Sequence, residues 1–203
     1  MFRYAISLTL LVCMPLWLQA QQSTYFNHTE FGASFGGTKA YETFNPRLNF
    51  SFESFNGVTI HPKHAVGMSI GYDRYPGVDL VPISFGWRGF RDRGGRINIF
   101  AASNIGYASA ALMKREKTDL VEQWHEGGLM YSASIGIRKK ARNNNHAFTW
   151  SIGYKRQQAY YFQSYLDPFF MGFSSFRLPP GASSIVEEAL TFNSLTLKWG
   201  FQF

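Results

Sequence analysis

The last nine residues, Leu195 to Phe203, set Leu195, Leu197, Trp199, Phe201 and Phe203 against Thr196, Lys198, Gly200 and Gln202. Side chains on a strand point alternately to its two faces, so this order predicts one apolar and one polar face. Seven further stretches carry the same period. Thr29 to Gly36 alternates Phe31, Ala33 and Phe35 with Gly and Ser. Arg47 to Ile60 sets Leu48, Phe50 and Phe52 on one face, then slips in phase near Ser54 and Phe55, which predicts a bulge there. Ala65 to Asp73 and Leu80 to Phe90 alternate cleanly through Val66, Met68, Ile70 and Tyr72, and through Val81, Ile83, Phe85 and Trp87. Arg96 to Tyr107, Leu129 to Lys139 and Ala147 to Arg156 come next, and the last strand begins near Leu190. Eight strands is an even count.

The connections have their own pattern. His61 to His64, Arg91 to Gly95 and Lys140 to His146 are short and turn-like, whereas Ala108 to Gly128 and Gln157 to Ala189 are long. Short turns on one side and long loops on the other are the habit of barrels that cross a membrane. An all-β, eight-stranded, antiparallel up-and-down transmembrane barrel is the expected fold; part of Gln157 to Ala189 is expected either to extend the seventh and eighth strands above the membrane or to form an extra hairpin that would raise the count to ten. A water-soluble eight-stranded barrel would turn its apolar rows inward. In this chain the other row is mostly Gly, Ser and Thr with scattered charges, which suits a narrow filled interior better than a solvated exterior.

Aromatic residues make up 18% of the chain and charged residues 16%, an unusual balance for a soluble domain. Met1 to Ala20 opens with Arg3, runs apolar from Leu8 to Leu18 and closes on Leu18-Gln19-Ala20, the pattern of a cleaved secretory signal. Residues 21–203 then form the barrel domain, with 19 basic against 13 acidic residues and a net charge of +6. Cys13 falls in the signal, so no disulfide, thiolate metal site or cysteine nucleophile is expected in the barrel domain. No later run of about 20 apolar residues offers a spanning helix, a test that a barrel escapes because only one face of each strand is apolar.

With the apolar rows outward, Glu30, Glu53, Asp73, Arg88, Arg138, Lys155 and Lys198 point into the lumen. Two readings share these residues: a paired network that plugs the barrel, or a charged ion or proton path. Tyr72, Trp87, Tyr107, Tyr131, Trp150, Tyr154 and Trp199 lie on the outward phase, as interfacial girdles do. Arg91, Arg93, Arg96, Lys139, Lys140 and Arg142 gather at two short turns, where they are either solvated or set against anionic headgroups or cell-wall polymer. The last long connection holds Tyr160, Tyr161, Phe162, Tyr165, Phe169, Phe170, Phe173 and Phe176, expected either to bury one another over the barrel mouth or to form a recognition surface.

Catalytic signals are thin. His28, His61, His64, His125 and His146 show no metal-ligand spacing on one strand face. His125 with Glu122 and Glu126 is the one acid/base grouping, placed in a predicted external loop. Gly94-Gly95 and Gly127-Gly128 precede no helix that would complete a phosphate cradle, and no cofactor is called for. Positive charge spread over turns and loops does not imply nucleic acid.

Thr43-Phe44-Asn45, Phe55-Asn56-Gly57, Val66-Gly67-Met68 running into Gly71-Tyr72-Asp73, Gly153-Tyr154-Lys155 and the terminal Lys198 to Phe203 resemble the small outer-membrane β-barrel proteins of Gram-negative bacteria. The likeness is to the Bacteroidota-type outer membrane protein β-barrel domain, with OmpA/OmpX-like architecture. It implies export, residence in the outer membrane among its lipids and lipopolysaccharide, and insertion by the barrel-assembly machinery, with Trp199, Phe201 and Phe203 as the assembly signal. It implies no activity. Three roles stay open: a structural or surface-interaction barrel meeting an unknown external ligand through Lys114 to Glu126 and Tyr160 to Phe176, a small channel, and a lipid-modifying enzyme. The last is disfavoured because His146 is followed by Ala147 and Phe148 rather than by the His-x-Ser pattern of outer-membrane lipid A deacylases.

Overall fold

The computed structural model describes residues 25–40, 43–91, 94–142, 146–166 and 182–203; the signal segment and Phe169 to Gly181 lie outside them. Nine strands occur in the order β1 (Tyr25–Ala40), β2 (Thr43–His61), β3 (His64–Tyr75), β4 (Val78–Arg91), β5 (Ile97–Ser109), β6 (Glu116–Lys117), β7 (Val121–Lys140), β8 (Ala147–Leu166) and β9 (Ala182–Gln202). Each long strand pairs antiparallel with its sequence neighbour, β5 pairs with β7, and β1 pairs with β9 from His28↔Gln202 to Gly37↔Asn193. The ring therefore closes with eight long strands. The two-residue β6 sits on the free edge of β7, opposite Glu122 and Gln123.

Register fixes the barrel's shape. His28 pairs with Phe55, and the ladder continues through Ser69, Ser84, Gly106, Met130 and Gln157 to Phe192 on β9, whereas His28 itself meets Gln202 on that strand. One circuit thus climbs ten residues along β9. That stagger over eight strands corresponds to a tilt of about 40° and an interior only wide enough for side chains.

Burial is inverted relative to a soluble protein. Ile105 is 68% exposed, Phe85 66% and Leu195 59%, while Arg88 is 0% exposed. A surface of this kind matches hydrocarbon rather than water. Among the described residues no helix is long and apolar enough to cross a membrane.

Several sequence expectations are revised. No bulge interrupts β2 at Ser54 and Phe55, where pairing to β1 is continuous; the phase never slips, because Phe55 is an aromatic on the inner face. Register shifts instead fall between Thr59 and His61, between Gly127 and Met130 on β7, and between Tyr165 and Leu166 on β8. The links at Ala40/Thr43 and Tyr75/Val78 are as tight as the turns at the opposite rim, so only two of the four connections there are long. Gly77, at φ 84° after Pro76, supplies the left-handed position that the second of these turns needs. The expected loop before Leu129 is partly strand, since β7 starts at Val121; β8 running to Leu166 and β9 beginning at Ala182 follow the strand-extension alternative, and together they raise a tall sheet past the rim.

A buried charge network as the candidate functional site

The rim holding Tyr25, Phe203 and the turns after β2, β4 and β7 is the near rim, and the opposite one the far rim. Period two sends every second side chain of each strand inward, and the ten-residue stagger decides which of them meet. At mid-height Glu53 of β2 accepts from Arg88 of β4 at 2.9 Å and from Lys198 of β9 at 2.8 Å. Asn104 of β5 binds both members of the first pair, donating to Glu53 at 2.7 Å and accepting from Arg88 at 2.7 Å. It also donates to Ser132 of β7 at 3.1 Å. Lys155 of β8 is ion-paired with Asp73 of β3, whose other oxygen accepts from Ser51 at 2.7 Å. Glu30 of β1 accepts from Ser151 at 2.7 Å and lies 3.7 Å from His28, which is also 3.0 Å from Thr149. All eight long strands contribute.

Of the seven charges assigned to the interior, six are therefore buried, and three carboxylates face three cations. Arg138 stands apart: it is half-buried near the near rim, with its guanidinium 5.1 Å above the ring of Phe90. Desolvated charges persist only when paired and hydrogen-bonded, and in this layer Glu53 meets two cations, Asp73 one, and Glu30 a hydroxyl and an imidazole.

Apolar clusters bound this polar layer. Toward the near rim Phe26, Phe55 and Ala65 pack with Phe90. Toward the far rim Tyr75, Val78, Leu80, Ala108, Ala159 and Phe192 pack together, with Tyr75 and Phe192 stacked at 4.3 Å. The guanidinium of Arg88 lies 4.3 Å over Phe55, which joins the lower cluster to the ion layer. A methyl at Gly86 would lie 2.9 Å from the Phe55 ring and 2.5 Å from Asn104, so that glycine makes the room both occupy. Sequence reasoning did not assign these plugs. Their signal was present as apolar residues on the polar phase: Phe55, Leu80 and Phe192.

The outward aromatics divide between the rims. Trp87, Trp150 and Trp199 lie within four residues of near-rim strand ends, and Tyr72, Tyr107, Tyr131 and Tyr154 stand toward the far rim. Phe201 packs between Phe31 at 6.4 Å and Phe148 at 5.2 Å, tying the C-terminal strand to both neighbours.

Beyond the far rim, β7 presents Trp124, stacked on Phe162 at 5.2 Å and covered by Arg115 at 4.5 Å. His125, Glu122 and Glu126 belong to this strand rather than to a loop, and they do not assemble into an acid/base group. Successive residues of a strand face opposite ways. His125 packs on Tyr161 at 5.1 Å, Glu126 accepts from the Trp124 indole at 3.0 Å, and Glu122 pairs with Arg115 at 2.7 Å. Burial holds the His125 imidazole below its ordinary range, with Glu116 pulling the other way. Among the described residues no three His, Cys, Asp or Glu gather as a metal site would require.

A closed eight-stranded antiparallel barrel with an apolar exterior and an ionised interior is the architecture of outer-membrane barrels. No protein-family model matches the chain, and no curated protein matches it in sequence. Among solved structures it is similar to Neisserial surface protein A, with a TM-score of 0.52 at 8% identity, covering 89% of this chain and 97% of that one. The outer membrane protein OprG of Pseudomonas aeruginosa gives 0.41 at 7% identity, covering 88% and 95%. The translocator domain of the autotransporter NalP from Neisseria meningitidis gives 0.28 at 7%, covering 88% of each chain. The first of these shows the shared barrel fold.

Proposed function

We propose that this chain is an integral outer-membrane β-barrel with a closed lumen, exported by its N-terminal signal and inserted through its aromatic C-terminal strand. Its role is structural or surface-interacting, presented by the tall β7, β8 and β9 sheet and the small β6 beside it. The observation that carries this reading is the interior: buried Glu53 holds Arg88 and Lys198, buried Asp73 holds Lys155, buried Glu30 meets Ser151 and His28, and apolar clusters lie above and below them. An ion entering such a layer would have to displace an existing partner and pass an aromatic plug, and both steps are costly in a low dielectric. The partners are outer-membrane lipids and lipopolysaccharide, the assembly machinery during biogenesis, and a ligand outside the cell met by the far-rim sheet. No observation favours an enzyme.

The test is reconstitution of the refolded chain. It is expected to migrate differently on gels before and after heating, to give a β-rich spectrum in detergent, and to pass almost no current in planar bilayers. Steady conductance abolished by Lys155→Ala would establish the channel reading in its place.

A further inference from the structure

Residues 21–203 carry a net charge of +6, and basic residues gather at the near-rim turns. Lys63 stands in the turn after β2, Arg91 and Arg96 flank the turn after β4, and Lys139, Lys140 and Arg142 lie at the turn after β7. The described residues of these turns include no acidic side chain. Five of the six cations are exposed and Lys140 is half-buried.

The turns form one continuous arc. The amide of Phe90 donates to the carbonyl of Lys63 at 2.8 Å, and the amide of Lys140 donates to the carbonyl of Arg96 at 2.9 Å. The cations therefore sit on tied backbone at a fixed height rather than on long waving loops. That height is set by the aromatic belt: His64 stacks on Trp87 at 5.7 Å, and Arg91 lies four residues beyond Trp87 on β4. Tryptophan on a lipid-facing strand marks the headgroup level. Cations a few residues further along the same strands are at phosphate depth, too shallow to reach far into the aqueous space.

We infer that the near rim is a binding surface for anionic glycerophospholipid headgroups, selecting them from the leaflet that surrounds the three turns. The inference rests on the membrane placement proposed above and adds a lipid class and a face. Lipid phosphates accept charge-assisted hydrogen bonds from Arg and Lys, and the attraction fades with added salt. The mixed charge of the far rim gives no such preference.

Tryptophan quenching separates the two claims. The chain is refolded into phosphatidylcholine vesicles that contain equal small fractions of phosphatidylglycerol or phosphatidylcholine brominated near the top of the acyl chain. Any quenching by the brominated lipids shows that the Trp belt meets lipid; absence of quenching by both would sink the membrane placement itself. At low salt the anionic probe is expected to associate about threefold or more in excess of the neutral one. The excess should vanish in R91Q/R96Q/K139Q/K140Q/R142Q and persist in the far-rim variant K114Q/K117Q. If the fivefold variant does not refold, R91Q/R96Q alone is expected to lose part of the excess. Equal quenching by the two probes in the unmodified chain overturns the inference, as does an excess unchanged in the near-rim variants. Retention on purified cell-wall sacculi without lipid preference would assign the arc to that polymer and likewise overturn it.

Discussion

Lys198 of β9 reaches past β1 to bind Glu53 of β2 at 2.8 Å, so two strands that share no backbone ladder are joined through the interior. Because Glu53 also holds Arg88, one carboxylate balances two cations, with the Asp73 and Lys155 pair nearby in the same layer. Charge in this interior is therefore coupled across the barrel, and single substitutions are not independent.

Removing the shared carboxylate is the severest test of that coupling. Glu53→Gln leaves Arg88 and Lys198 buried without their counter-charge and is expected to cost about 3–5 kcal/mol, read from urea unfolding in vesicles. Adding Lys198→Met should restore part of the loss. A Glu53→Gln barrel as stable as the parent would show that water, not the carboxylate, solvates these cations.

Packing at the lower plug depends on one missing side chain. Gly86→Val places methyls where the Phe55 ring and Asn104 already sit, and overpacking of this sort costs about 1–3 kcal/mol. Phe55→Leu combined with Gly86→Val is expected to recover stability, measured as the temperature at which the fast-migrating gel band disappears.

The direction of the apolar rows is open to a single substitution. Ile105 is 68% exposed on the outer face, and Ile105→Arg near the middle of the apolar band should destabilise the barrel by about 2–4 kcal/mol in a bilayer. The same change in a water-facing position would be close to neutral, so a null result in vesicles would contradict the lipid-facing assignment.

His125 gives a prediction in pH. Its folded pKa lies below its unfolded one, so both states are neutral above about pH 6.5 and the folded state loses stability as pH falls through that value toward the lower folded pKa. Nuclear magnetic resonance of the His125 ring should give a midpoint below about 6.5, rising toward it when Tyr161→Ala opens the packing on one side. A midpoint at or above the ordinary value would mean that the β7 and β8 sheet does not cover the ring.

Strand positions were legible because alternation is strong in Val66 to Tyr72, Val81 to Trp87 and Leu195 to Phe203. It was misread where both faces carry aromatics. Ser54 and Asn56 point outward and hydrogen-bond with Tyr25, Asn27 and Thr29, while Phe55 between them is buried, and this reversal looks like a bulge in one dimension. The far-rim extension of β8 and β9 was only one of two expected alternatives for a related reason: Tyr160 to Tyr165 is aromatic on both faces, so its period is not visible as apolar against polar.

What the sequence determined by itself was the side of the sheet each residue occupies, since the pleat makes side-chain direction a local property. It thereby named the charges of the interior and the aromatics of the exterior. Only the tertiary structure decided that Glu53 serves both Arg88 and Lys198, that Asp73 meets Lys155, and that Phe55 and Phe192 belong to plugs at opposite ends. Those meetings join residues as many as 145 positions apart, and they depend on the stagger accumulated around a closed ring, which no single strand contains.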